Sequence, residues 1–332
     1  MKIINLFIFI TILYFSPNLS SAEPDFDQWK KNFKIYALEK GISQGTLNKA
    51  IDNTKFLPDV IKYDRYQPEF YEDTKTYIKK RTSNQKIMNG KKLFYQNKNI
   101  INNISNKYLI DKNLLLSLMG IETNFGKYLG KMDILSSLAT LSFDQRRSDF
   151  FTSELITLLK LIDSNKVDLE TLYGSWAGAF GNFQFMPTTI NDYAIDYNLD
   201  KKVDLKNIED SFASAANYLN SLGWNNEIPC FFKIKLVNKI PLDYLNTSAK
   251  NIHSKKKVKY FKQYIANSNF LDDYDELNSA IVTPDVDIVP DTNKFSPAYI
   301  VFDNYELILK WNRSLRFGLA VCTLREKFKN EL

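Results

Sequence analysis

The run Leu114-Leu115-Leu116-Ser117-Leu118-Met119 sets the tightest limit on how this chain folds. A helix that is apolar on nearly every side cannot lie on a surface, so other segments must close around it. Asp111 precedes the run as an N-cap. Glu122 follows it, ahead of the turn-forming Asn124-Phe125-Gly126. An ionisable group therefore stands where a helix leaves the core, and that placement needs a reason.

The segments that could surround this helix are mostly helical. "FDQWKKNFKIYALEKGI" places Phe26, Trp29, Phe33, Tyr36 and Ala37 on one stripe, with Gly41 as a stop. A short helix starts from Ser43. Pro58 and Pro68 read as breakers, a third helix runs from Glu69 onward, and another covers Ser83 to Tyr108. "DILSSLATLSF", "SDFFTSELITLLKLIDSN" and "IEDSFASAANYLNSLGW" are apolar at three- and four-residue steps. After Trp224 the texture changes. "IPCFFKIKLVNKIPLDYL", "SAIVTPDVDIVP" and "PAYIVF" read as strands, and "NYELILKWNRSLRFGLAVCTLREKF" returns to a helical pattern. The expected fold is α+β and mostly helical, with a small β-rich insertion at about residues 228–302 and the helices on either side of it packed together.

Several function classes drop out on composition. Lys2 is the only charge before the apolar stretch Ile3–Phe15, and Ser20-Ser21-Ala22 follows Pro17. This is the pattern of a signal peptide, residues 1–22, cleaved after Ala22. No Cys stands there for a lipid anchor, and no later segment reaches transmembrane length. The mature region, 23–332, is thus expected to be exported and periplasmic. The net charge of +6 is mildly basic and suits an anionic polymer or a membrane surface. Lys79-Lys80-Arg81 and Lys255-Lys256-Lys257 read as solvated faces, and no P-loop or dense basic stripe points to nucleic acid. Cys230 and Cys322 either pair or stay as two thiols. With His253 the only histidine, serine and cysteine triads and His-ligated zinc are removed, and carboxylates remain for acid–base chemistry.

Glu122 gains meaning from a second stretch, "GSWAGAFGNFQFMP", Gly174 to Pro187. Its small residues let backbone approach a ligand closely. Ser175 and Gln184 offer hydrogen bonds, and Trp176, Phe180, Phe183 and Phe185 offer apolar faces, a mixture that suits sugar rings. Tight helix packing would explain the glycines equally well.

With these residues in view, the chain resembles the lytic murein transglycosylase B family, exported lysozyme-like enzymes that cleave peptidoglycan. The likeness runs through "DRYQPEF" (64–70), "GIETNFGKYLGKMDILSSLATLSFDQRRSDFF" (120–151), "GSWAGAFGNFQFMPTTI" (174–190) and "WNRS" (311–314). It implies a lysozyme-like catalytic core in which Glu122 is the acid and then the base. It implies that Ser175, Gln184 and Asn312 are polar contacts near the N-acetyl sugar or Glu122, and that Arg146 and Arg147 lie beside the cleft. Trp311 stands where the family often has Tyr, so a ring remains for stacking and a hydroxyl is lost. The partner implied is the peptidoglycan glycan strand, acted on by a monomer that needs no cofactor.

The physical reason for the apolar run then follows. A glycosidic oxygen leaves only if it is protonated, and apolar walls keep a Glu protonated and rigid. Ordinary glycosidases use two carboxylates, and no second one lies within the motif. In the family the C6 hydroxyl of the muramic sugar attacks instead of water and forms a 1,6-anhydro ring. A hydrolytic muramidase of the same fold would need a carboxylate such as Asp133 or Asp144 beside Glu122. A non-catalytic wall-binding protein would not need the acid.

"DYNLDKKVDL" has oxygen donors at Asp196, Asn198, Asp200 and Asp204, like the first nine positions of a calcium loop. Lys201 holds the glycine position and Asn207 the place of the closing Glu, so the expectation is a weak calcium site or a plain polar connection.

Overall fold

The computed structural model describes residues 25–332 apart from 68–70, 238–239, 287 and 289–294. The expected signal peptide, residue Glu69 and the rest of the "DRYQPEF" motif beyond Gln67 lie outside the described residues. Among those that are described, no helix is long and apolar enough to cross a membrane.

The apolar run forms the helix Lys112–Thr123, in which every residue from Asn113 to Gly120 is buried. Asp111 caps it, accepting from Asn113 N, while Arg325 Nε donates to the other carboxylate oxygen at 2.8 Å. Arg325 belongs to the C-terminal helix Leu315–Lys329, whose apolar face packs along the buried helix. Helices from before and after the insertion thus share one core, as expected from the helical patterns on either side of it.

The structure corrects several expected boundaries. Pro58 opens the helix Pro58–Arg65 instead of breaking one, because a first-turn residue needs no N–H partner. The stretch Ser83–Tyr108 is two helices, Asn84–Gln96 and Lys98–Tyr108, turned at Asn97. Among the described residues, the next helix after Arg65 begins at Thr74, capped by Asp73. Asn312 separates Asp303–Trp311 from Leu315–Lys329. Tyr36 is exposed, so the first stripe narrows to Phe26, Trp29, Phe33 and Ala37.

The insertion is a five-stranded sheet. Phe231–Ile234 pairs antiparallel with Ala298–Phe302, which pairs antiparallel with Asn278–Val282. Leu245–Asn246 and Lys256–Lys257 also pair with Asn278–Val282. Successive side chains on the two inner strands face opposite ways. Ala280, Val282, Tyr299 and Val301 join the main core, and Ile281, Ile300 and Phe302 cover a second cluster with Val258, Phe261 and Leu271. Burial on both faces explains why these strands read as unbroken apolar runs. Cys230 and Cys322 form a disulfide that ties the sheet to the C-terminal helix. A buried ion pair does the same nearby: Arg316 Nη2 lies 2.7 Å from Asp285, which also accepts from Thr74 N at 3.0 Å.

Candidate active site

Glu122 lies in the last turn of its helix and is half-buried. The helix stops abruptly because Asn124, Phe125 and Gly126 are all left-handed, with φ of 51°, 63° and 78°. For Phe125 that backbone is costly, and its ring supplies the compensation. The ring folds back between two helices, into a slot that exists only because two residues lack side chains. A Cβ on Gly120 or on Gly90 would stand 2.8 Å from Phe125 Cζ. Phe328 closes the slot edge-on. The turn that carries Glu122 out of the core is thus anchored on its buried side.

The other side is tied to the Gly-rich loop. Thr123 is fully buried; its hydroxyl lies 2.8 Å from Asn182 O and accepts from Gly126 N at 3.0 Å. Asn182 is buried too. Its amide donates to Lys206 O and Ser211 Oγ, and its backbone N–H donates to Leu205 O at 2.8 Å. Gln184, itself at φ 51°, sends Nε2 to Gly181 O at 3.0 Å and to Leu129 O at 3.3 Å, bridging the loop to the segment after Glu122. Ser175 closes a tight turn, since its hydroxyl accepts from Ala179 N and its N–H donates to Ala179 O. A Cβ on Gly130 would meet Gly174 O at 2.0 Å, so backbone touches backbone where the short strands Met132–Asp133 and Tyr173–Gly174 pair.

Trp311 joins the same assembly. Its ring lies 5.2 Å from Phe185 and 6.2 Å from Phe183, centroid to centroid, and 5.2 Å from Tyr218. Asn312 follows in extended backbone at the break between the last two helices. Glu122, Ser175, Gln184, Trp311 and Asn312 therefore come from elements joined by direct contacts around the Gly-rich loop. Arg146 and Arg147 belong to a second cluster, built on the buried Asp64. Arg146 Nε donates to Asp64 Oδ2 at 2.8 Å, and Arg147 Nη2 lies 2.7 Å from Asp64 Oδ1. Both guanidinium groups stay partly open to solvent. One carboxylate between two arginines leaves a net positive charge facing outward.

Sequence reasoning missed Thr123, Asn182 and the role of Asp64. A polar Asn inside a run of small and aromatic residues was the available signal for Asn182. Thr123 and Asp64 lie inside the quoted motifs, but their contacts with Asn182 and with the two arginines join residues distant in sequence.

The loop from Asp196 spends its oxygens on its own backbone. Asp196 accepts from Asp200 N and Lys201 N, Asn198 from Asp200 N, Asp200 from Lys202 N, and Asp204 from Lys206 N. Asn207 caps the helix Ile208–Ser221. Among the described residues no three His, Cys, Asp or Glu side chains gather to hold a metal. The donor set lacks the bidentate carboxylate that closes a strong calcium loop, since Asn207 stands at that position.

A buried helix ending in a glutamate, locked to a Gly-rich loop and flanked by a small sheet, is the architecture of lysozyme-like proteins. The chain belongs to the transglycosylase SLT domain family, which matches residues 25–326. It is 36% identical over 149 residues to the membrane-bound lytic murein transglycosylase B of Escherichia coli, across 45% of this chain and 41% of that protein's length. SltB3 from Pseudomonas aeruginosa, solved in complex with NAG-anhNAM-pentapeptide, is 30% identical with a TM-score of 0.78, over 92% of this chain and 80% of that one. The Escherichia coli lytic transglycosylase Slt35, solved with calcium, shares the fold at 24% identity and a TM-score of 0.75, over 91% and 93% of the two chains.

Proposed function

We propose that this protein is a lytic transglycosylase of the bacterial wall. It cleaves the β-1,4 bond between N-acetylmuramic acid and N-acetylglucosamine in peptidoglycan without using water. The observation that carries this reading is the placement of Glu122, half-buried at a helix end and fixed to the Gly-rich loop through Thr123 and Asn182. The complex of the related SltB3 with NAG-anhNAM-pentapeptide supports the product class.

In this mechanism Glu122 donates its proton to the glycosidic oxygen as the bond to the muramic C1 breaks. The C6 hydroxyl oxygen of the same sugar then bonds to C1, and the Glu122 carboxylate takes that hydroxyl's proton. One C–O bond breaks and one forms, the acid is regenerated, and a 1,6-anhydro end results. Carbonyl dipoles at the helix terminus oppose a negative charge there and favour the acid form needed first. Ser175, Gln184 and Asn312 would meet the sugar's polar rim, Trp311 its apolar face, and Arg146 and Arg147 the acidic stem peptide. The disulfide supports an exported, oxidising location.

The carboxylates that a hydrolase would need are otherwise engaged. Asp133 caps its helix, accepting from Ser136 N and Oγ, and Asp144 pairs with Arg65 at 2.8 Å. Mass spectrometry of the soluble products from purified peptidoglycan, with Glu122→Gln alongside, tests the reading. Anhydro-ended muropeptides from the wild type only are expected. Reducing ends would make water the acceptor, and release by Glu122→Gln would remove Glu122 from the role.

A further inference from the structure

The glutamate helix has a third restraint, from a residue that neither motif contains. Lys86, on the helix Asn84–Gln96, extends its side chain to the end of the helix Lys112–Thr123 and donates to Gly120 O at 2.6 Å. Gly120 is two residues before Glu122, and its carbonyl also accepts the capping N–H of Asn124. The same residue forms one wall of the slot that holds Phe125. A single cation thus sits on the carbonyl cluster that ends the helix, where partial negative charge accumulates. Its stem lies in the protein, half-buried.

We propose that Lys86 is a positioning residue for Glu122: its ammonium pins the last helical turn and offsets the terminal carbonyl dipoles, so that Glu122 can give up its proton and take it back. This inference rests on the reading of Glu122 as acid and base. The dipoles alone would hold the acid form too strongly, and a cation beside them restores the balance that a group acting in both directions requires.

Two cations on neighbouring elements have partners of their own. Arg81 ends the preceding helix and is held by Glu72 at 3.0 Å. Lys327, on the C-terminal helix, donates to Thr82 O and Thr82 Oγ1. Glu122 is the acidic group on the glutamate helix itself. Burial, with a smaller push from Arg81, brings the Lys86 amine down to about 8. The cation is present below that pH and is lost above it.

The test is the pH dependence of muropeptide release by the purified mature protein, for the wild type, Lys86→Met, Lys86→Arg and Glu122→Gln. Lys86→Met is expected to lower kcat about tenfold with the half-saturating peptidoglycan concentration unchanged, since small displacements of a reacting group have effects of this order or larger. Its alkaline limb should move up by about half a pH unit to one, because Glu122 keeps its proton longer without the cation. Lys86→Arg, which keeps the cation, should restore the rate and the limb. Lys86→Met with a wild-type kcat and limb, or with only a lower melting temperature, would overturn the proposal. If Lys86→Met does not fold, Lys86→Gln, which keeps a donor without the charge, takes its place, and a wild-type kcat and limb in that variant would overturn the proposal as well. Glu122→Gln separates the two readings: an active Glu122→Gln defeats the catalytic assignment, whereas an inactive one beside an unaltered Lys86→Met defeats only the role of Lys86.

Discussion

Two loops of this protein both present polar side chains and come to different ends. The Gly-rich loop from Gly174 and the acidic loop from Asp196 both use left-handed backbone at non-glycine positions, Gln184 in one and Leu199 and Lys201 in the other. Both are rich in side chains able to bind a ligand. In the first, the key polar groups reach across the sequence, from Gln184 to Leu129 and from Asn182 to Thr123. In the second, Asp196, Asn198, Asp200 and Asp204 satisfy amides within a few residues of themselves. Long-range restraint fixes a geometry that a substrate can rely on. Local restraint only shapes a turn.

The largest test of that contrast is Glu122→Gln. Loss of the only acid at the restrained end should reduce muropeptide release by at least about a hundredfold, the size of a typical acid–base contribution, with the circular dichroism spectrum unchanged. Next is Asn182→Ala. It leaves buried partners at Lys206 O and Ser211 Oγ without their donor, so stability should fall by about 1–3 kcal/mol in urea unfolding. Activity should fall further than stability explains, because the tie to the glutamate helix is loosened. A variant equally stable and equally active would break the comparison.

Gly120→Ala sharpens it from the buried side. The new methyl would collide with Phe125, displacing the turn at a cost of about 1–3 kcal/mol, and activity should fall with it. Asp64→Asn tests the arginine cluster. Both guanidinium groups can turn to solvent, so a loss of only about 1 kcal/mol is expected, alongside weaker binding of peptidoglycan in a pull-down assay. The smallest effect belongs to the acidic loop. Added calcium should raise stability by less than about 1 kcal/mol, whereas a filled tight site at a hundredfold excess over its Kd would give about 2.7 kcal/mol. A large calcium-dependent rise in melting temperature would show that the loop rearranges to gather its carboxylates.

The sequence by itself determined the elements whose cause is local. The run Leu114–Met119 had to be a buried helix, Asp111 had to cap it, and Gly41 had to stop the first helix, because propensity and capping act within a turn or two. Glu122, Ser175 and Gln184 could be singled out as a candidate site because the stretches around them resemble the motifs of a glycan-cleaving family. Tertiary structure alone decided the rest. The pairing of Cys230 with Cys322, the seat of two arginines on Asp64, and the grip of Thr123 and Asn182 on the glutamate helix all join residues far apart in sequence. Such contacts depend on where the folded elements bring their side chains, and a linear pattern does not contain those positions. The calcium-like loop shows the converse. Its spacing is visible in the sequence, but that the residue at the closing position, Asn207, serves as a helix cap is decided in the folded chain.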